Sequence, residues 1–128
     1  MAVGIVLVAH SAGLAAEAVA LVRGIAGADA PVAAAGGTAD GGLGTSLDLI
    51  EKAVAAVDQG DGVVIVPDLG SSVLTALLVE DPGRVVVADV PFVEGAIAAA
   101  VTAGAGAALP AVLSAAEDAW RYRKFSDS

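Results

Sequence analysis

Residues 4–22 read GIVLVAHSAGLAAEAVALV. The run from Val3 to Ala9 is short, uninterrupted in its apolar character and rich in β-branched residues, the pattern of a strand buried on both faces. Leu14, Ala18, Leu21, Val22 and Ile25 then recur at helical spacing, Ser11 is suited to cap the start, and Gly27 suits the stop. A buried strand running straight into a helix is the opening half of a βαβ unit. His10, the only histidine of the chain, stands at the junction.

The pattern continues outward. PVAAAGG (31–37) reads as a second strand, and TADGGLG (38–44) as a loop. Leu47, Ile50, Val54 and Val57 mark a helix capped by Thr45 or Ser46 and ended by Gly60. GVVIV (62–66) is a third, buried strand; PDLGSS (67–72) leads into a helix carrying Val73, Leu74, Leu77 and Leu78. DPG (81–83) is a turn and RVVVAD (84–89) a fourth strand. After VPFVEG (90–95) come a helix with Ile97 and Val101, a break at Gly104 and Gly106, and a last helix from Pro110 through Val112, Leu113, Ala116 and Trp120. Four alternations of strand and helix predict an α/β fold: an open, mainly parallel four-stranded sheet with helices on both faces. Neither an internal repeat nor a linker is evident, so residues 1–128 form one domain, with 120–128 a polar tail expected to fray.

Composition narrows the function classes. The 128 residues are 57% hydrophobic but only 3% aromatic, so the core is built from Ala, Val, Leu and Ile. A formal net charge of −9 makes the chain a poor ligand for nucleic acid or an anionic membrane surface. The absence of cysteine removes disulfides, thiolate nucleophiles and zinc–thiolate sites, in keeping with a cytoplasmic location. No basic segment precedes the first apolar run, so no signal peptide is read. GAIAAAVTAGAGAALPAVLSAA (95–116) is uncharged and long enough to span a bilayer, but its Ala, Gly and internal Pro110 fit two packed helices better.

Right-handed crossovers place the carboxyl ends of all parallel strands on one edge, where ligands of such folds bind. His10 ends the first strand there, GGTADGGLGTS (36–46) ends the second, and Asp68 ends the third before Leu69-Gly70-Ser71-Ser72. If the first and third strands are neighbours, His10 and Asp68 face each other. A neutral imidazole is a nucleophile. A carboxylate on one ring nitrogen fixes the tautomer and leaves the other free to attack. Glycine-rich backbone and helix N-termini offer N–H donors to an anion. Together they suit a phosphoryl group carried on histidine, with Ser11, Gly36, Gly37, Thr38, Gly70, Ser71 and Ser72 as candidate phosphoryl-binding residues. Plainer readings coexist: His10 incidental, Asp68 a cap of the following helix, the glycines an ordinary loop, Ser71 and Ser72 helix caps, Asp40 and Asp89 solvated turn residues. No Walker loop, dinucleotide fingerprint or Gly-x-Ser-x-Gly elbow occurs, and neither a metal nor a cofactor is expected.

Four segments carry a family resemblance: GIVLVAHSAGLAAEAVALV (4–22), AAAGGTADGGLGTSLDLIEKAV (33–54), GDGVVIVPDLGSSVLTALL (60–78) and VPFVEGAIAAAV (90–101). In order and spacing they resemble the phosphoryl-carrying subunit of the phosphotransferase-system-dependent dihydroxyacetone kinase, one of the mannose-type enzyme IIA domains. The resemblance implies that His10 is transiently phosphorylated by the histidine-phosphorylated carrier protein of the phosphotransferase system. It implies that the acceptor is ADP on the nucleotide-binding kinase subunit, and that a third subunit phosphorylates dihydroxyacetone. Asp68 matches the aspartate partnering the active histidine, and the family is typically dimeric. Mannose-type domains add a fifth, exchanged strand after the last helix; RYRKFSDS (121–128) leaves little chain for one. Some relatives also carry fused phosphotransferase domains, which are not seen here, so a separate carrier is expected. Two other classes compete. One is a receiver-like signalling domain phosphorylated on Asp68, although Ala9-His10 stands where such domains place acidic metal ligands. The other is a non-catalytic binding module.

Overall fold

The computed structural model describes residues 2–125. Four strands, β1 (Gly4–Ala9), β2 (Val32–Gly36), β3 (Val63–Pro67) and β4 (Val85–Val87), form one sheet in the order β2-β1-β3-β4, with every pair parallel. Five helices connect and cover them: α1 (Ala12–Ala26), α2 (Leu47–Val57), α3 (Gly70–Ala76), α4 (Phe92–Gly104) and α5 (Leu109–Glu117).

Alternation along the strands divides the core in two. Val3, Ile5 and Leu7, with Val64 and Val66 of β3, pack against α1, α4 and α5. Val6 and Val8, with Val63 and Ile65, pack against α2 and the end of α3. All six residues of β1 are buried, as a central strand covered on both faces requires. Small residues let the layers close: a Cβ on Gly4 would lie 2.5 Å from the Val57 carbonyl oxygen, and one on Gly95 2.4 Å from Val90.

Element ends follow local chemistry. Ser11 caps α1 by accepting from the Leu14 N–H, and Ser46 caps α2 by accepting from the Leu49 N–H. Gly27 closes α1 at a φ of 119°. The second helix stops at Val57 with Asp58 as its C-cap, two residues before the glycine expected to end it. The fourth strand is shorter than RVVVAD suggested: Arg84 belongs to the preceding turn, and beyond Val87 only the Ala88 N–H, donating to the Ile65 carbonyl at 2.9 Å, continues the ladder. Residues 95–116 fold as the body of α4 and most of α5, and no helix among the described residues is long and apolar enough to cross a membrane.

The C-terminal segment, expected as a polar tail, makes contacts with the rest of the chain as far as Lys124. Asp118–Arg121 form a 3-10 turn, the Trp120 indole N–H donates to the Asp89 carbonyl at 2.8 Å, and Lys124 pairs with Glu94 at 2.8 Å. These bonds fasten the segment across the start of α4. Residues 126–128 lie outside the described residues.

Candidate functional site

Because β1 and β3 are direct neighbours, His10 and Asp68 emerge side by side at the carboxyl edge of the sheet. The Asp68 N–H donates to the Val8 carbonyl at 2.9 Å, extending the ladder by one residue. The His10 N–H donates to Asp68 Oδ2 at 3.0 Å, and the ring Nδ1 lies 3.1 Å from Oδ1. The carboxylate thus grips both the backbone and the ring of His10. From the other side the Gly44 N–H donates to the His10 carbonyl at 2.8 Å.

Asp68 is well satisfied. Its Oδ1 also accepts from the Leu69 N–H at 2.8 Å and from the Ser72 hydroxyl at 2.7 Å. Burial pushes its pKa up, but the bonds from Ser72, the His10 backbone and ring, and Leu69 outweigh this and hold the carboxyl below its ordinary value. With its side chain only 7% exposed and both oxygens occupied, Asp68 is built to accept hydrogen bonds and is poorly placed to attack phosphorus, which counts against the receiver-like reading. It is not the cap of α3 either; Leu69 holds that position without a side-chain bond.

The imidazole has a defined polarity. A carboxylate can only accept, so the network assigns the ring proton to Nδ1 and leaves Nε2 with its lone pair. Nε2 is hydrogen-bonded to the exposed Ser71 hydroxyl, and the His10 side chain is 25% exposed. Such an arrangement is able to present Nε2 as a nucleophile once Ser71 moves aside.

The other candidates separate into two groups. Ser11 adjoins His10 and caps α1, and Ser71 touches Nε2, so both stand beside the imidazole; Gly70 opens α3 with free space around it and lines the neighbouring cleft. Gly36, Gly37, Thr38 and Ser72 are differently employed. A Cβ on Gly36 would lie 2.4 Å from the Ser11 carbonyl oxygen, so this glycine serves close approach of β2 to the start of α1. The Gly37 N–H is spent on the Ala9 carbonyl at 3.1 Å, and its φ of 72° suits glycine. Thr38 is committed to its own loop: its N–H donates to Gly42, and its hydroxyl accepts from the Gly42 N–H at 2.9 Å while donating to Asp40. Ser72 is fully buried, and its hydroxyl faces Asp68 and Nδ1, on the far side of the ring from Nε2. Neither Ser71 nor Ser72 caps α3, since both lie within it.

Beside Asp68, between the ends of β3 and β4, lies an open cleft of about 550 Å³ that reaches Leu69, Val73, Leu77, Asp89 and Trp120. His10 is not part of its wall, and its charged lining is Asp68 and Asp89 with no Lys or Arg.

The family model described as the PTS system fructose IIA component, of mannose type, matches residues 4–113. The chain belongs to this enzyme IIA family. The match spans all four strands and both His10 and Asp68. Among curated relatives of this enzyme IIA domain, the phosphoryl donor subunit DhaM of a PEP-dependent dihydroxyacetone kinase from Listeria innocua is 33% identical over 99 residues, 76% of this chain and 78% of that one. The phosphotransferase subunit DhaM of the PTS-dependent dihydroxyacetone kinase from Lactococcus lactis is 32% identical over 114 residues, 88% of this chain and 91% of that one. A crystal structure of a protein of unknown function superposes with a TM-score of 0.81 at 29% identity, over 98% of this chain and 100% of that one. A sigma-54 interaction domain protein from Enterococcus faecalis shares the fold, with a TM-score of 0.69 at 15% identity over 94% of this chain and 91% of that one. The enzyme IIA family and the α/β architecture read from the sequence motifs both stand.

Proposed function

We propose that this chain is the phosphoryl-carrying subunit of a phosphotransferase-system-dependent dihydroxyacetone kinase. It takes a phosphoryl group from the histidine phosphocarrier protein onto Nε2 of His10 and passes it to ADP held on the nucleotide-binding subunit. The observation that carries this reading is the polarity of the imidazole: Nδ1 faces the Asp68 carboxylate at 3.1 Å while Nε2 faces the exposed side. The similarity to phosphoryl donor and phosphotransferase subunits of dihydroxyacetone kinases supports the reading.

In the first step the Ser71 hydroxyl rotates off Nε2. The freed lone pair attacks phosphorus, the carrier's N–P bond breaks, and its electron pair returns to the carrier's imidazole. His10 keeps its Nδ1 proton, so the phosphorylated ring is cationic and the Asp68 carboxylate stabilises it. The Ser71 hydroxyl, bonded to Nε2 before transfer, is the donor at hand for an incoming oxygen. In the second step an oxygen of the ADP β-phosphate attacks, and the electrons return to Nε2. The acidic cleft next to the site is suited to neither nucleotide nor triose phosphate, in keeping with both being held on other subunits.

The test is reconstitution with phosphoenolpyruvate, the general phosphotransferase enzyme and the carrier protein. One phosphoryl group per chain is expected, mapped to His10, lost in acid and retained in base. A label on Asp68, lost in both, overturns the assignment.

A further inference from the structure

We infer that Ser72 is a positioning residue of the His10 site: its buried hydroxyl locks the Asp68 carboxylate and supplies a second acceptor for the Nδ1 proton. The inference rests on the phosphohistidine reading above. The Ser72 hydroxyl is 2.7 Å from Asp68 Oδ1 and 3.1 Å from His10 Nδ1, and Nδ1 is itself 3.1 Å from Oδ1. The three atoms form a closed triangle. An ionised carboxylate has no proton to give, so the hydroxyl proton must point to Oδ1. The hydroxyl oxygen then presents only lone pairs to Nδ1. Two acceptors therefore converge on one ring nitrogen, and a ring protonated on Nε2 would set a third lone pair against them. The tautomer that leaves Nε2 nucleophilic is selected twice over.

Position in the fold makes the role separable from phosphoryl binding. Ser72 is the third residue of α3 and fully buried, whereas its neighbour Ser71 is exposed and bonded to Nε2. Adjacent serines thus serve opposite ring nitrogens. The bond also holds Asp68 to α3 by a second point beyond the Leu69 N–H, fixing the carboxylate plane that His10 reads through both its ring and its N–H.

The experiment compares wild type with Ser72→Ala and Ser72→Thr in single-turnover transfer from phosphorylated carrier, alongside the nitrogen resonances of the unphosphorylated His10 ring. In wild type a protonated Nδ1 and an unprotonated Nε2 are expected. In Ser72→Ala the second tautomer appears and transfer slows by about ten- to a hundred-and-fiftyfold, the span of one hydrogen bond to a charged acceptor. Ser72→Thr restores both. A purely structural serine moves the melting temperature and neither of these readouts. A folded Ser72→Ala protein with wild-type ring resonances and rate overturns the inference, as does a Thr variant of wild-type stability that keeps the Ala defect. His10→Ala run in parallel separates the two levels. Phosphoryl uptake without His10 defeats the phosphohistidine reading itself; no uptake there, beside an unaffected Ser72→Ala, defeats the Ser72 assignment alone.

Discussion

Asp68→Asn tests the His10 pair most directly. The carboxylate accepts on both oxygens: three donors at Oδ1 and the His10 N–H at Oδ2. An amide has one acceptor. With its oxygen at the Oδ1 position, its NH2 meets the His10 N–H, donor against donor. Flipped, the NH2 meets Leu69, Ser72 and Nδ1 together, which is worse. The first orientation wins, and its unsatisfied buried donor costs about 1–3 kcal/mol of stability. For a domain of this size that is roughly 3–15 °C in melting temperature. The rate suffers separately, because a neutral amide neither favours the Nδ1 tautomer as strongly nor offsets the cationic phosphoimidazole. Comparable changes in other histidine–carboxylate pairs cost up to about four orders of magnitude. Transfer between two histidines is closer to balanced, so about ten- to a thousandfold is expected, or roughly 1.4–4 kcal/mol of barrier.

The assay is single-turnover transfer from phosphorylated carrier, with melting followed on the same samples. An unchanged rate beside a lowered melting point refutes the catalytic role and leaves Asp68 a structural residue. A pH series adds a second check. The Asp68 carboxyl is held below its ordinary value in the folded chain, so its stabilisation is complete above the unfolded value near 3.9 and is lost as pH falls through the folded value. The stability gap between wild type and Asp68→Asn should therefore close in that acid window and stay constant above it.

His10→Ala is expected to fold with a melting temperature near wild type, since the ring is partly exposed at a strand end, and to take up no phosphoryl group; labelled variant protein would refute this. Gly36→Ala drives a Cβ to 2.4 Å from the Ser11 carbonyl and should cost about 1–3 kcal/mol by overpacking, whereas Gly13→Ala on α1 meets nothing within 4 Å and should stabilise by about 0.5–1 kcal/mol; denaturant midpoints decide. Self-association as a two-fold dimer is expected, because Leu69, Leu74, Leu78 and Trp120 expose more than half of their surface; a monomeric mass in sedimentation equilibrium at micromolar concentration would refute it.

The alternation of apolar strands and amphipathic helices was legible in the sequence because burial imposes periods of 2 and 3.6 on any chain that folds this way. Ser11 was legible as a cap, and the second helix's cap was narrowed to Thr45 or Ser46, since an orphan N–H at a helix start selects a hydroxyl or carboxylate. That His10 and Asp68 both end strands followed from their places after apolar runs. Their contact did not. It depends on β1 lying between β2 and β3, a choice made by how α1 and α2 divide between the two faces, to which no local period responds. The glycines show the same boundary. Gly36, Gly37 and Gly41 look alike in a loop sequence, yet Gly36 is required by the Ser11 carbonyl 2.4 Å from where its Cβ would stand, whereas Gly41 meets no neighbour and is held to glycine by its φ of 91° alone. Nor does Ser71-Ser72 reveal which hydroxyl turns outward to Nε2 and which inward to Asp68. The 100° step between successive helical residues sends them to different sides, and only the docking of α3 against β3 settles which side is the core.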